Sequence, residues 1–180
     1  RKTLLKRLQE NPDVMYNELL SWLFIQQKEY KKAFIQEKAI YKRDGEDLSG
    51  IVDLGFIALN DDDFESAETA FNYAIENSAT PEEKLRNYQY LMKIKLKTAS
   101  KKEYPTVVQE FETLLDTYGR DAQTYMLQID YNHFLAFDMG KKDEAISNLK
   151  QLAKATMTSY QEARVKMELA DILVFSEQFN

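Results

Sequence analysis

The chain contains no cysteine. That excludes disulfides, thiol catalysis and thiolate metal sites together, and it fits a reducing or an oxidising compartment equally. Glycine and proline are scarce, five and three in 180 residues, and no segment alternates Val, Ile or Thr with polar residues, so strands lack their signature. Long apolar runs are also missing. The longest, such as Trp22 to Ile25, are a few residues, so no membrane span is expected, and Arg1 opens directly into amphipathic sequence without a signal-peptide pattern. The single histidine, His133, has no Ser or Cys nucleophile motif beside it and no second histidine with which to hold a metal. Its expected role is structural or solvated. The glycines are scattered rather than gathered into a phosphate loop. The acidic run Asp61-Asp62-Asp63 with Glu65 lacks the alternating ligands, central Gly and distal Glu of a calcium loop. It reads instead as carboxylates favouring the start of a helix near Phe64. No pair of carboxylates stands out as acid and base. The expectation is therefore no catalytic site, no cofactor and no metal, and a formal charge of −6 argues against the basic footprint of a nucleic-acid binder.

What is present is apolar sequence in quantity, 44% of residues against 30% charged, enough for a substantial core. These apolar residues recur three and four apart almost throughout, which predicts an all-α fold. Helical stretches are expected at 1–10, 14–27, 31–43, 48–60, 64–77, 82–98, 104–118, 121–138, 141–154 and 158–175. Thr80-Pro81-Glu82-Glu83 has the form of a capping box, with Thr80 as N-cap and Glu83 reaching back. Pro105 suits a first helical turn, and Gly119 and Gly140 sit where one helix must give way to the next. Connections are short and no linker divides the chain, so neighbouring helices should form antiparallel hairpins.

The hairpins recur. Tyr30 and Ala33, Phe64 and Ala67, Tyr104 and Val107, and Lys142 and Ala145 share a three-residue offset, at intervals of 34, 40 and 38 residues between the second members. Two helices per period of that length signal a solenoid. The stretch Ile51-x2-Leu54-Gly55-x2-Ala58 to Ala67-x3-Phe71-x2-Ala74 resembles the tetratricopeptide repeat. Residues 14–43 follow the pattern through Leu20-Ser21, Phe24, Tyr30 and Ala33, and residues 122–154 through Gly140, Ala145 and Leu149. Residues 82–118 depart from it, with about three extra residues before Tyr104.

The resemblance implies one array over 1–180, a right-handed superhelical solenoid of antiparallel pairs at 14–43, 48–77, 82–118 and 122–154. Residues 1–12, with Leu4, Leu8 and Pro12, look like the tail of a preceding repeat. Residues 158–180, with Leu169-Ala170, Leu173 and Phe179, look like the first half of a further one, as if the chain were cut from a longer array. Within each pair, Gly55 costs its helix about 1 kcal/mol relative to Ala, a cost to be offset if its missing side chain lets the partner helix close in. Ala67 and Ala74 would serve the same approach, with Phe71 filling the space between repeats.

Family likeness also implies a function: a protein–protein interaction scaffold, not an enzyme, that receives a peptide or a partner's helix in a concave groove lined by first helices. On that basis Trp22, Phe56 and Phe134 should face the groove, the alternative being that these rings pack against neighbouring helices. Between Lys84 and Lys102 lie seven basic residues and no acid, and subtracting these seven from −6 leaves the rest of the chain at −13. On a helical wheel Arg86, Tyr90, Lys93 and Lys97 fall within about 60° of one another, opposite Leu85, Tyr88, Leu91 and Met92. This stripe reads either as an ordinary solvated face or as a contact for an acidic peptide or a terminal carboxylate, and the lysine and asparagine clamp of some tetratricopeptide domains is not recognisable. The alternative is a helical module that binds a small ligand such as a glycan, or assists an enzyme elsewhere in a longer protein, since aromatic residues make up 12% of the chain. RNA binding would need a base-reading side chain in each repeat, whereas the lysines cluster in one. A likeness to long bacterial tetratricopeptide proteins leans towards a cell-envelope or periplasmic setting, with the cytoplasm as the alternative. Oligomeric state is not readable from the sequence.

Overall fold

A computed structural model describes residues 3, 6, 7, 10, 13–45, 47–155 and 158–178. Leu4, Leu8, Pro12 and Phe179 lie outside the described residues. All regular structure among the described residues is helical. The helices are α1 (Val14–Gln26), α2 (Tyr30–Asp44), α3 (Ser49–Asn60), α4 (Phe64–Asn77), α5 (Pro81–Thr98), α6 (Tyr104–Tyr118), α7 (Tyr125–Phe137), α8 (Lys142–Leu152) and α9 (Ser159–Gln178), with a 3-10 turn at Ala122–Thr124. No described helix is long and apolar enough to cross a membrane.

The chain gathers into two compact units, residues 1–94 and 95–180, and the division falls inside α5. In the first unit α1 and α2 form one hairpin. Side-chain contacts run Phe24–Lys32, Ser21–Glu37 and Asn17–Arg43, an order only an antiparallel pair can give. The α3–α4 hairpin follows, and Leu20, Phe24, Ala33, Leu54, Ala58, Ala67 and Phe71 share one buried core. In the second unit α7 and α8 pair in the same sense through Asn132 and Asn148, and the Phe111 ring of α6 stacks on Tyr131 at 5.0 Å.

A left-handed residue just before the second helix recurs in the α1–α2, α3–α4 and α7–α8 hairpins. Lys28, Asp62 and Gly140 each adopt a left-handed backbone, with φ of 56°, 58° and 68°. The next residue, Glu29, Asp63 or Lys141, then begins the second helix as its N-cap. Only Gly140 uses the residue for which this conformation carries no side-chain penalty. Glu29 N–H and Asp63 N–H each donate to the carbonyl five residues back, Phe24 and Ala58, at 2.8 and 2.9 Å. Lys141 N–H instead donates to Leu135, six residues back, at 2.8 Å. The third turn is therefore one residue longer.

The packing logic of small residues is visible in the coordinates. Gly55 is buried, and a Cβ placed on it would lie 2.9 Å from Cζ of Phe71 on the facing helix. Ala67, Ala70, Phe71 and Ala74 are all fully buried. The ring of Phe71 occupies the volume that Gly55 vacates. Contacts 16 residues apart recur at this level of each hairpin: Ser21 with Glu37, Gly55 with Phe71, Asn132 with Asn148.

Caps fall where the sequence places them. Glu83 accepts from Thr80 N–H at 3.3 Å while Glu83 N–H donates to Thr80 Oγ1 at 3.2 Å, the reciprocal capping box. Asp63 Oδ1 accepts from Ser66 N–H at 3.0 Å, and Asp61 accepts from the Tyr30 hydroxyl and pairs with Lys28 at 3.0 Å. The acidic run is thus occupied in caps and in ties between hairpins. Ties of similar span recur, Lys31–Glu65 at 2.7 Å across 34 residues and His133–Glu168 at 2.8 Å across 35 residues.

Candidate functional site

The first unit holds a cavity of about 820 Å³ between the end of α2, the body of α3, the end of α4 and the first half of α5. Its floor is aromatic. Phe56 and Tyr90 meet edge to face at 4.2 Å between ring centres, and both rest on Phe71, which stacks on Tyr90 at 5.3 Å. The floor therefore depends on Gly55, because the ring beneath it sits in the glycine's gap.

Its polar part centres on Asn87, which is 4% exposed and lines the cavity. Ser78, the residue that ends α4, donates its hydroxyl hydrogen to Ala74 O at 2.7 Å. Ser78 Oγ can then only accept, so the group 3.3 Å away on Asn87 must be the amide Nδ2. That fixes the amide plane. The Asn87 carbonyl oxygen has no protein partner among the described residues, and it is not sealed from solvent. Open to solvent, this oxygen keeps its capacity to accept a hydrogen bond.

Two kinds of charge surround it. Arg86 is exposed on the wall and has no acidic partner among the described residues. Asp53 and Glu83 also line the cavity, but Glu83 Oε2 is committed to Ala79 N–H and Thr80 N–H at 3.0 and 3.3 Å.

Of the residues expected to face a groove, the structure brings together Phe56, Arg86 and Tyr90. Trp22 is 60% exposed on α1 but is not part of this wall. Lys93 is half-buried and Lys97 exposed; both make contacts of their own, and they fall on either side of the division between units. Their neighbour Lys95 is held by both carboxylate oxygens of Glu110 at 2.6 Å, so the basic run is partly neutralised.

Phe134 departs from expectation. It is 2% exposed, packed edge to face on Tyr104 at 4.8 Å, and offers no face to a partner. Counting back from Gly140 aligns Phe134 with Trp22 and Phe56, but the longer turn shifts α7 by one residue. The exposed residue at that place is His133. His133 Nδ1 lies 2.8 Å from Glu168 Oε1 on α9, and that hydrogen bond, opposed by partial burial, raises the imidazole's pKa above its ordinary value.

Asn87 escaped the sequence reading altogether. Its significance rests on Ser78, nine residues earlier on another element, and no periodicity encodes that pairing. Compared with protein-family models, with curated proteins and with solved structures, the chain matches none.

Proposed function

We propose that the chain is a protein–protein interaction module of the tetratricopeptide type, in which the α3–α5 cavity receives a segment of a partner polypeptide. The recurring left-handed residue, the contact at 16 residues and the ties of similar span support the stacked-hairpin reading. No catalytic role is proposed.

The observation that carries the binding reading is the open carbonyl of Asn87. A primary amide held in one plane offers an acceptor and a spare N–H, the complement of the pair that an extended peptide backbone presents. Phe56 and Tyr90 beneath it supply apolar area for one side chain of that peptide. Arg86 at the rim favours a carboxylate on the same ligand.

Selection of random linear peptides on the immobilised chain, with Asn87→Ala as counter-target, tests this. Retained peptides should bind Asn87→Ala about tenfold more weakly, the worth of one buried hydrogen bond, with circular dichroism unchanged. A selection that recovers nothing beyond the Asn87→Ala background overturns the reading. A second reading, a glycan-binding module, draws on Trp22, 60% exposed on α1 outside that cavity, whose ring could stack on a sugar face. It requires that empty peptide selection together with glycan binding that is lost in Trp22→Ala.

A further inference from the structure

The second unit holds a smaller cavity of about 90 Å³, between the end of α6, α7 and α8, and its wall is rich in amides: Gln128, Asn132, Asn148 and Gln151. It lies at the level where each hairpin makes its contact 16 residues apart. The α3–α4 hairpin fills that level with the Phe71 ring against Gly55, whereas the α7–α8 hairpin sets Asn148 against Asn132. Polar groups at a helix–helix contact cost free energy unless their hydrogen bonds are met.

Those bonds settle which way each amide is turned. A backbone carbonyl only accepts, so the Gln128 atom 2.9 Å from Asp121 O is Nε2. Its other N–H goes to Thr124 Oγ1 at 2.9 Å, an oxygen whose own hydrogen is given to Gly119 O at 2.7 Å. By the same rule the Asn132 atom 2.7 Å from Gln128 O is Nδ2, and Asn132 Oδ1 accepts from Asn148 Nδ2 at 3.0 Å. Two acceptors, Gln128 Oε1 and Asn148 Oδ1, and one donor, the second N–H of Asn132, have no protein partner among the described residues. Gln128 and Asn132 are 7% and 2% exposed, so the fold sets the orientation of both.

Charge narrows the choice of ligand. Arg120, also on the wall, already pairs with Glu112 and with Asp116 at 3.4 Å. A carboxylate brought to it would meet two acids, and an ammonium would exchange its hydration for two neutral carbonyls. A neutral ligand meets neither obstacle.

We infer that this cavity binds a primary carboxamide, its NH2 group donating to Gln128 Oε1 and Asn148 Oδ1 and its carbonyl accepting from Asn132. Leu115 and Leu152, both buried, supply apolar wall for a short aliphatic stem. The volume is that of about three waters, so it takes the amide head and little more. Such a head belongs to a free small amide or to a glutamine side chain on a polypeptide.

The probes are propionamide, its charged analogues propionate and propylammonium, and the peptide acetyl-Gly-Gln-Gly N-methylamide. Each is titrated into the isotope-labelled whole chain, and the side-chain NH2 signals of Asn132 and Asn148 are followed by NMR. Propionamide should shift both signals saturably in the millimolar range, and the charged analogues should leave them unmoved. Asn148→Ala should weaken propionamide about fivefold, the worth of one neutral hydrogen bond. Asn148→Ser, which keeps a hydroxyl for Asn132 but loses the carbonyl, should match it if truncation to Ala unsettles the hairpin. Arg86→Glu, on the cavity of the first unit, should change nothing. A peptide that moves the same signals at least as tightly as propionamide assigns the amide to a polypeptide side chain. A peptide that binds more weakly or not at all assigns it to a free small molecule. Signals that no probe moves mean a cavity filled by water alone and overturn the inference. Propionate binding as well as propionamide, or binding indifferent to both Asn148 variants, overturns it too.

Discussion

At the scale of single residues, the fold turns on volume. Gly55 has nothing to contribute except the absence of a side chain, and Phe71 uses that absence completely. Replacing Gly55 by Val puts two branches where a single Cβ already falls 2.9 Å from the ring. The overpacking costs about 1–3 kcal/mol, from which the helix-propensity gain over glycine recovers less than 1 kcal/mol. Urea unfolding of Gly55→Val should therefore show a net loss of about 1–2 kcal/mol, and Phe71→Leu in the same chain should return part of it. Additive losses in the double variant would place the strain elsewhere. This much was legible in advance, because side-chain volume is written directly in the sequence and its spacing reports the facing helix. The amide of Asn87 was not legible. Its orientation is dictated by a hydroxyl on a different helix, whose one hydrogen is already committed to a third group.

At the scale of elements, helices and caps were readable because their signals are local: three–four apolar spacing, Thr80 with Glu83, Asp63 ahead of Phe64. Register across a turn was less so. One additional residue before Lys141 moves His133 into the place that a count from Gly140 gives to Phe134. The consequence is electrostatic as well as steric, because the displaced position now ties α7 to α9 through Glu168, with Asp138 and Asp130 adding further negative potential. The sign follows from the raised pKa. Protonated His133 is favoured in the folded state, so its stabilisation is fully present below the unfolded value near 6.5 and is lost as pH rises through the higher folded value. The imidazole is substantially exposed, and screening holds the effect to under about 1 kcal/mol. Thermal melting between about pH 5.5 and 8.5 should show wild type losing stability relative to His133→Gln across the upper part of that range. Parallel curves for the two proteins would remove the ion pair from the account.

At the scale of the whole molecule, the charge distribution and the packing tell different stories about the same segment. By sequence, residues 84–102 form a basic block in an acidic chain. In space, Lys95 is closed onto Glu110, which neutralises part of the block. Helical periodicity put Arg86, Tyr90, Lys93 and Lys97 on one side of α5, but it could not reveal that Lys95, on the other side, is claimed by an acid on α6. The same segment contains the division between the two units, and its energetic meaning can be measured. If hairpins are stabilised chiefly by their immediate neighbours, as in a repeat array, damage in one unit should stay there. Gly55→Val should then raise amide exchange through α1 to α4 while leaving the protected amides of α7 and α8 near their wild-type rates, as partly independent cooperative units do. A uniform rise across both units would mean that the chain unfolds as one body, through a core that does not stop at α5, and the nearest-neighbour account of its stability would have to be given up.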